Sequence, residues 1–284
     1  MPKKIKAWLS ILMSVFILTF FLYTQFSKAQ VNNLQIYFFD VGQGDSILIR
    51  TPDGRDILID GGPDSTVIER LGSVLPFWDR YIDMAILTHP HDDHINGLSD
   101  ALGYYEFGKI VEPDLKIDPE NLQYFNAKTE REVVTKSGEN FNLGEGLSMK
   151  IIYPFDINLE EENINDTSIV FQLEYKGKKF LFTGDATAEV EAKILEQNLD
   201  SDFLKVGHHG SRYSSSAEFL AKVTPTISII SVGEGNSFGH PTQDTLDRLS
   251  AVGSRVLRTD RSGTIEVNVE NSGEWTIKCS KECN

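Results

Sequence analysis

Cysteine is scarce in this chain of 284 residues, which holds only Cys279 and Cys283. No cysteine follows the apolar run near the amino terminus, and this absence argues against a lipoprotein anchor. In an oxidising compartment the two cysteines are expected to pair across a small loop, with a metal site as the sharper alternative. Neither lies near the histidines in sequence, so they stand apart from the histidine cluster described below.

Basic residues are also in short supply, because 27 lysines and arginines face 42 aspartates and glutamates, a net charge of −15. Four of those lysines lie within residues 1–30, which contain no acid, so the remainder of the chain carries a charge of −19. Such a charge excludes a broad basic footprint for nucleic acid. It leaves room for a phosphodiester held at a local cationic site, where bound divalent metals would be the largest positive charges.

Long apolar runs are absent beyond residues 7–23, and the chain shows no internal repeat and no disordered stretch. A lysine-rich start at residues 3–6 precedes that run, and Ser27 and Ala29 occupy the two positions that a signal peptidase reads. This pattern predicts an export signal and a secreted protein. The alternative is an uncleaved anchor that enters the membrane through residues 7–23 and holds the domain on its outer face.

We therefore divide the chain into residues 1–29, a signal peptide or membrane anchor, and residues 30–284, a single large domain. Cleavage would make Gln30 the first residue of the mature chain. About 250 residues are enough to bury a proper core. The composition is ordinary for a globular domain, and no obligate protein partner is evident.

Apolar runs at the start of the domain are separated by the turn sequences GQG and PDG, which predicts an antiparallel beginning. Strands are predicted at 36–39, 46–50, 56–59, 84–87, 149–153, 168–175, 179–183, 203–206, 227–232, 255–259 and 264–269. Helices are predicted at 68–75, 95–102, 188–197, 217–221 and 242–251. Residues 104–150 are expected to hold one or two strands and a helical insertion that shapes the rim of the site. Two similar halves of this kind predict an α/β fold with helices outside two facing sheets.

Six residues, from His89 to His94, hold three of the chain's six histidines together with Asp92 and Asp93. Buried together without a cation, these groups would leave desolvated carboxylates unpaired, whereas the bland alternative is a solvated polar turn. His89 and His91 are two apart on an extended segment, so their side chains project the same way and suit one cation. Asp93 and His94 point elsewhere and suit a second. Imidazole with carboxylate fits zinc, or manganese where oxygen donors weigh more.

Two further clusters fall at predicted strand ends downstream. Asp185, in FTGDA, follows a strand and precedes a helix, where it can bridge two metals or serve as a helix N-cap. His208 and His209 follow the next strand in GHHGS, and His240 precedes a helix in FGHPT. All six histidines therefore fall in strand-end loops, whereas a core-packing origin would have scattered some onto helix faces.

The segment THPHDDH, from Thr88 to His94, matches the H-x-H-x-D-H signature of the metallo-β-lactamase superfamily, which the chain resembles from Leu34 to about Trp275. Asp60, in LIDGG, is similar to the family's early aspartate, and Asp185 is similar to its metal-bridging aspartate. The segments DVGQGDSILI, LKVGHHGS, FGHP and RTDRSGTIEV further resemble the hydrolase domain of the ComEC-like branch, the DNA-uptake channels of competent bacteria. No channel-forming run of helices is present, so the resemblance is to that hydrolase domain.

The resemblance implies a metallo-β-lactamase αββα sandwich that holds two divalent metal ions, zinc or else manganese, in the cleft between the sheet edges. The implied metal ligands are His89, His91, Asp93, His94, Asp185, His208, His209 and His240. Asp93 is expected to orient the attacking hydroxide. Whichever of His208, His209 and His240 is not a ligand is expected to donate a proton to the leaving group. Asp60 is expected to act from behind the metals, holding a loop or a ligand imidazole.

The chain departs from the family in one respect, because no histidine lies between His94 and His208, where classical members carry a metal ligand. Either Asn165 or Asp166, in NINDTS, helps there, or the His208–His209 pair supplies the ligand. We favour the pair, since neutral imidazole suits the site better than an amide. Residues 165–168 are alternatively a turn that caps a hairpin.

The expected activity is hydrolysis of a phosphodiester, in nucleic acid or in a component of the cell envelope. An acyl hydrolase acting on a β-lactam or lactone is the second interpretation, disfavoured by the missing middle histidine and by the HHGS motif. A non-catalytic, metal-stabilised binding domain is the third. The ligand set disfavours it, because a purely structural zinc site is normally closed and single.

Overall fold

The computed structural model describes residues 3–29, 32–116, 119–129, 132–156 and 163–283. The predicted new amino terminus at Gln30 lies outside them. The strands are β1 Leu34–Phe38, β2 Ile47–Arg50, β3 Asp56–Ile59, β4 Tyr81–Ile86, β5 Glu106–Glu112, β6 Glu132–Val134, β7 Asn140–Asn142, β8 Ser148–Tyr153, β9 Val170–Tyr175, β10 Lys178–Phe182, β11 Phe203–Lys205, β12 Ile227–Ile230, β13 Arg255–Arg258, β14 Ile265–Val269 and β15 Trp275–Cys279. The helices are α1 Lys3–Ala29, α2 Thr66–Val74, α3 Asp92–Ala101, α4 Glu120–Asn126, α5 Ala188–Ile194, α6 Ala217–Val223, α7 Gln243–Ala251 and α8 Thr259–Ser262.

Two mixed sheets face each other. Within the described residues the first has eight strands in the order β15-β14-β1-β2-β3-β4-β5-β6, and the second has seven in the order β13-β12-β11-β10-β9-β8-β7. One apolar core fills the space between them, with Ile36 and Ile49 from the first sheet against Phe171 and Phe180 from the second. Truncating a buried phenylalanine of this kind typically costs about 3–5 kcal/mol of stability.

Helices cover the outer face of each sheet. Leu71 of α2 and Leu98 of α3 are buried in the apolar cluster outside the first sheet. Val190 of α5 and Leu220 of α6 are buried in the corresponding cluster outside the second. The layers therefore run helix, sheet, sheet, helix, as the sequence predicts.

Several boundaries differ from the predictions. The described part of residues 104–150 holds three complete strands, β5 to β7, where one or two were expected, because β6 and β7 are only three residues long and carry little pattern. β15, at the edge of the first sheet, was not predicted; its residues alternate between partly buried and exposed, and none is fully buried. α3 begins at Asp92, three residues before the predicted segment 95–102, although Asp92 or Asp93 was expected near its start; both lie in the first turn and suit the positive end of the helix dipole.

The two cysteines form a disulfide between Cys279 and Cys283, so the pairing across a small loop is the alternative that the structure contains. Both pack against the core between the sheets. Along α1, apolar side chains such as Trp8 and Phe16 are 67% and 69% exposed. Among the described residues, no helix combines the length and the apolar character that crossing a membrane requires.

Parallel pairing brings the loops of interest to one edge. In the first sheet β3, β4 and β5 are parallel neighbours, and in the second β10, β11, β12 and β13 are. The carboxyl ends of parallel neighbours lie at the same sheet edge. The loops that follow β3, β4, β10, β11 and β12 carry the predicted site residues except Asn165, which lies before β9.

Candidate metal centre

The two halves of the fold each contribute side chains to one buried cluster. The loop after β4 and the first turn of α3 supply His89, Asp93 and His94, and the loops after β10 and β11 supply Asp185 and His209. Four of these side chains are almost fully buried, and Asp93 is partly exposed.

Asp185 lies at the centre of this cluster. Its Oδ2 is 3.3 Å from Nε2 of His209, 3.5 Å from Nε2 of His94 and 4.0 Å from Nε2 of His208. Asp93 approaches the same imidazoles from the other side, with Oδ2 at 3.2 Å from Nε2 of His209 and Oδ1 at 3.9 Å from Nε2 of His94. The two carboxylates thus flank the same pair of rings.

Two histidines of the loop before α3 lie beside this centre. Nε2 of His89 is 3.0 Å from Nδ1 of His91, and the ring centroid of His89 is 4.1 Å from that of His94. Burial lowers the pKa of His89 well below its ordinary value. The neutral imidazole that results is the form that binds metal.

The residues present fit a divalent cation. Three groups place one donor atom of each member within 4.8 Å of the others, namely His89–His94–Asp185, Asp93–His94–His209 and Asp45–Asp60–His94. Nε2 of His94, Nε2 of His209 and Oδ1 of Asp185 are buried without a hydrogen-bond partner among the described residues. Such atoms are costly to bury unless something binds them, and imidazole with carboxylate is a donor set that zinc and manganese accept.

The carboxylates and imidazoles of the cluster shift one another's pKa. Burial alone would lower the pKa of His94 and His209, but the Asp185 carboxylate raises both well above their ordinary value. Burial alone would raise the pKa of Asp185, yet His209 and His94 hold it well below its usual range. The carboxylates therefore stay ionised and attract positive charge into a buried space.

Asp60 supports this centre from behind. Its Oδ2 is 2.8 Å from Nδ1 of His94, which leaves the Nε2 of that ring facing Asp185. The same carboxylate accepts hydrogen bonds from the backbone N–H and the hydroxyl of Thr88, at 2.8 and 2.7 Å. These contacts are the ones that the predicted role of Asp60, holding a loop and a ligand imidazole, requires.

The structure places His208 and His240 at the margin of the cluster. Their ring centroids are 5.6 Å apart, and both side chains are only partly buried. Burial lowers the pKa of both rings, that of His240 to about 4. None of the three donor groups includes His208, His240 or His91. Two of these rings nevertheless lie next to group members, since Nδ1 of His91 is 3.0 Å from Nε2 of His89 and Nε2 of His208 is 4.0 Å from Oδ2 of Asp185.

The interval without a histidine holds a short turn. Residues Ile164–Thr167 form one turn of 3-10 helix, in which the Asn163 side chain accepts a hydrogen bond from the backbone N–H of Asn165. Asp166 accepts a hydrogen bond from the hydroxyl of Thr187 at 2.5 Å and is thereby engaged in the fold. Asn165 is buried, and its Oδ1 has no hydrogen-bond partner among the described residues. The segment therefore forms a turn, and the buried amide oxygen of Asn165 stays unpaired within it.

Asp45 and Lys205 are site residues that the sequence analysis did not identify. Nζ of Lys205 is 2.5 Å from Oδ2 of Asp45, and both side chains are nearly fully buried. Oδ1 of Asp45 is 3.4 Å from Nδ1 of His209, which also lies 2.9 Å from the carbonyl oxygen of Ser231. The pair thus orients His209 from behind, much as Asp60 orients His94. The signal was present, because Asp45 belongs to the quoted GQGD motif.

The loop that carries His208 and His209 is held in an uncommon conformation. Both histidines have positive φ, 49° and 52°, which non-glycine residues rarely adopt. Nε of Arg248 donates to the carbonyl oxygen of Ser215 at 2.7 Å, and Glu191 accepts from the backbone N–H of Ser216 at 2.8 Å. These two side chains, from α7 and α5, clamp the loop and so position its histidines.

A cleft of about 430 Å³ opens beside the cluster. Asp185, His91 and His208 form part of its lining, with Asn121 on one wall and Phe238 on another. Nδ2 of Asn121 donates to the carbonyl oxygen of Pro90 at 2.7 Å, which ties the insertion at α4 to the metal-binding loop. Phe238 is 66% exposed and offers an apolar surface next to the polar centre.

Comparison with known proteins identifies the family of this arrangement. Residues 39–234 match the family model described as the metallo-beta-lactamase superfamily. The chain is 32% identical over 260 residues to ComE operon protein 3 of Bacillus subtilis, covering 84% of this chain and 33% of that protein. It is 30% identical over 251 residues to competence protein ComA of Neisseria gonorrhoeae, covering 85% and 33%. The chain thus spans about a third of the length of these relatives.

Solved structures share the fold. The metallo-beta-lactamase fold protein YhfI from Bacillus subtilis superimposes with a TM-score of 0.55 at 13% identity, covering 82% of this chain and 99% of that one. A metal-dependent hydrolase fold from Parabacteroides distasonis gives a TM-score of 0.51 at 15% identity, covering 80% and 93%. The predicted αββα fold and the resemblance to competence proteins are both confirmed.

Proposed function

Because the chain belongs to the metallo-β-lactamase superfamily, we propose that it is a metal-dependent phosphodiesterase that acts on DNA or on another phosphodiester. The observation that carries this proposal is the position of Asp185. Its buried carboxylate lies between His94 and His209, which come from opposite halves of the fold. A carboxylate so placed suits a bridge between two cations, and two cations suit an in-line displacement at phosphorus.

Two divalent ions, zinc or else manganese, would be held by the buried donors of both halves. His89, His91, Asp185 and His208 would hold one ion, and Asp93, His94, Asp185 and His209 would hold the other. When bound, such metals supply a water of lowered pKa and neutralise the charge that develops on the phosphoryl oxygens.

The chain's own residues then orient water and move protons. Burial alone would raise the pKa of Asp93, but its contact with His209 holds it below the ordinary range, so that Asp93 is an ionised acceptor at the mouth of the centre. His209 lies beside the carboxylates of Asp45, Asp93 and Asp185 and suits a ligand. The predicted proton donation therefore falls to whichever of His208 and His240 binds no metal. Burial lowers the pKa of both rings, so the protonated imidazolium form that would donate is a strong acid and a minor species at neutral pH.

The cleft favours a small phosphodiester unit over a long polyanion. Its volume of about 430 Å³ lies in the range of ordinary small-molecule sites. The net charge of −19 outside residues 1–30 repels a long nucleic acid everywhere except at the metals. We therefore expect nucleic acid to bind weakly, to need divalent metal, and to dissociate upon chelation.

The test is hydrolysis of a substrate panel by the metal-loaded protein. It holds bis-p-nitrophenyl phosphate, single-stranded DNA, p-nitrophenyl phosphorylcholine, p-nitrophenyl phosphate and a chromogenic cephalosporin. We expect at least one phosphodiester to be cleaved and the monoester and cephalosporin to be spared. Asp185→Asn should lower kcat/KM by orders of magnitude, because a bridging charge is lost, while Asp200→Asn, an exposed carboxylate, serves as the matched control.

Other outcomes would redirect the assignment. Rapid cleavage of the cephalosporin with every phosphodiester intact would establish the acyl-hydrolase alternative in place of a phosphodiesterase. Failure to cleave any member, in protein that carries its metals, would favour the metal-stabilised binding domain.

We further propose that residues 1–29 direct the domain to the outer face of the cytoplasmic membrane or beyond it. The lysine-rich start and the apolar run support this placement. Amino-terminal sequencing of protein from the native cell surface tests it. A start at Gln30 is expected for a secreted form, an intact Met1 at the surface would establish the anchored form, and retention in the cytoplasm would contradict both.

A further inference from the structure

Four large aromatic side chains are exposed around the start of two neighbouring strands, β4 and β5. Phe77 is 75% exposed, Trp78 36%, Tyr81 42% and Tyr104 61%. The rings of Phe77 and Trp78 meet edge to face, with centroids 4.8 Å apart. Exposed clusters of this kind on a folded domain mark interaction surfaces. We call these four residues the aromatic edge.

The sheet register places all four at one end of the first sheet. Phe77, Trp78 and Tyr81 lead into β4, and Tyr104 leads into β5. Tyr81 is the register partner of Glu106, the first residue of β5, and the backbone N–H of Glu106 donates to the carbonyl oxygen of Arg80 at 2.8 Å. The aromatic edge therefore lies at the amino ends of these parallel strands.

The chain leaves α1 and begins the domain at this same end. Ile36 of β1 is level with Ile49, Ile49 with Ile57, and Ile57 with Met84 of β4. β1 thus runs in the direction of β4, and its first residue, Leu34, lies at the end where the aromatic edge is found. Only four residues separate the end of α1 from Leu34, so α1 joins the domain at the end where the aromatic edge lies.

The candidate metal centre lies at the opposite end. Asp60 follows the last residue of β3, and the histidine loop follows the last residue of β4. The cleft, with Phe238 on its rim, opens beside those loops. The length of the strands separates it from the aromatic edge.

We propose that the aromatic edge rests on a lipid bilayer, so that the cleft faces away from the membrane and into the surrounding medium. This inference builds on the proposed placement of the chain at a membrane. Phenylalanine, tryptophan and tyrosine are the residues that enter the boundary between acyl chains and headgroups, and tyrosine and tryptophan keep a polar tip in the wet layer. The proposed partner of the aromatic edge is a bilayer and not a second copy of the chain.

The charges beside the aromatic edge indicate which lipid headgroup is enough for binding. Asp79 and Arg80 lie between Trp78 and Tyr81, so that both signs are present there. The domain as a whole is acidic. Recognition therefore comes from apolar insertion, and a zwitterionic phosphatidylcholine bilayer is enough.

The experiment places one tryptophan at either end of the domain. The full chain has three tryptophans, and the double substitution Trp8→Phe and Trp275→Phe leaves Trp78 alone. A matched chain combines Trp8→Phe, Trp78→Phe and Trp275→Phe with Phe238→Trp on the cleft rim. Both are reconstituted into phosphatidylcholine vesicles with and without brominated acyl chains, after thermal melts confirm that they fold.

Bromine should quench Trp78 and leave the probe at position 238 unchanged. Chains that float with the vesicles but show no quenching of Trp78 would overturn the orientation and leave the proposed membrane placement intact. Quenching at position 238 alone, or equally at both positions, would also overturn it. Chains that do not float would refute the membrane placement itself, and light scattering that shows dimers with Trp78 protected would assign the aromatic edge to a second copy.

Discussion

Asp60 shows how one buried side chain organises the metal-binding loop. It is fully buried and accepts hydrogen bonds from Thr88 while contacting Nδ1 of His94. Its φ is +53°, a conformation that asparagine and aspartate adopt more easily than other residues with a Cβ atom. Replacement by asparagine therefore keeps the backbone and removes the charge.

Asp60→Asn should weaken metal binding by about 10–100-fold, the usual effect of losing the partner behind a ligand histidine. Isothermal titration of the metal-free protein with zinc measures it. Asp56→Asn is a matched control, because Asp56 begins the same strand at the end far from the centre. Equal affinities for the two variants would show that Asp60 does not support the ligand.

The pKa of Asp56 leads to a separate prediction, about how the free energy of unfolding depends on pH. Burial raises its pKa from 3.8 to about 6, against the opposing attraction of Arg50 at 2.8 Å. The folded state thus keeps a proton that the unfolded chain has released. The free energy of unfolding should fall as pH rises from about 4 to about 6, by up to roughly 3 kcal/mol from this group.

Asp56→Asn should remove that part of the slope, so that the variant gains on the parent protein as pH rises through this window. Urea unfolding at intervals between pH 4 and 7 measures the difference. Asp53→Asn should have the opposite effect, so that this variant loses stability relative to the parent protein as pH rises. The pKa of Asp53 is lowered, because burial, which alone would raise the pKa, is outweighed by the hydrogen bond with Arg55. A parent and an Asp56 variant with parallel profiles would contradict the prediction.

Individual site residues were predictable where an unusual cluster of residue types marked them in the sequence. The cluster from His89 to His94 was evident because so many imidazoles and carboxylates in one short loop are unusual outside metal sites. Asp45 and Lys205 were not predicted although both lie in quoted segments, DVGQGDSILI and LKVGHHGS, because a motif does not show which of its residues contact each other. What makes them part of the site is a contact between strands that are far apart in sequence.

At the scale of elements, the docking of α3 on the turn after β3 depends on two glycines. The backbone N–H of Gly97 donates to the carbonyl oxygen of Gly62 at 2.9 Å, and that of Gly61 donates to the carbonyl oxygen of His94 at 2.7 Å. A Cβ atom on Gly97 would lie 1.9 Å from the carbonyl oxygen of Gly61. No side chain fits there, so the helix that carries Asp93 and His94 is seated by backbone contact.

Gly97→Ala should therefore displace α3 and lower stability by about 1–3 kcal/mol or more, the usual cost of overpacking. Thermal melting and metal affinity should both fall. Gly72→Ala is the matched control, since nothing lies within 4 Å of its added Cβ atom and alanine favours the helical backbone of α2 by about 1 kcal/mol. A Gly97 variant as stable as the Gly72 variant would refute the close approach.

Elements with a strong apolar period were predictable, and short edge elements were not. β4, β9 and β10 bury most of their residues, and that burial appears in the sequence as near-continuous apolar runs. β6 and β7 are three residues long and owe their existence to neighbouring strands. The glycine contact beneath α3 likewise belongs to two distant segments and has no local signature.

At the scale of the whole molecule, the candidate centre joins the two halves. Asp185 and His209 come from the second sheet, while His89, Asp93 and His94 come from the first. Cations bound between them would favour the folded state over the unfolded one, by about 4 kcal/mol per site at a free concentration roughly 1000-fold above Kd.

We expect two divalent metals per chain and a lower Tm after chelation. Elemental analysis after reconstitution with zinc or manganese, followed by thermal melts with and without EDTA, measures both. Asp185→Asn should bind less metal and lose much of the chelation effect. A saturating ratio of one metal per chain would contradict the two-metal centre.

The architecture as a whole was predictable because the motifs of a known family run through most of the chain. The departures are local. Family likeness did not indicate that His91, His208 and His240 are less buried than His89, His94 and His209, because side-chain packing decides burial. The family motifs also gave no indication of the aromatic edge, because none of them includes its residues.

The antiparallel pairing of β1 with β14 constrains the order in which the molecule assembles. Leu34 pairs with Val269, so the first strand of the domain cannot complete its pairing until nearly the last strand has been made. Synthesis delivers the amino end first, and until β14 has been made one edge of β1 has unpaired backbone N–H and C=O groups that can bind other chains. Contacts between such distant segments are slow to form. A chaperone that shields β1 would therefore matter more for the yield of this protein than for its final stability.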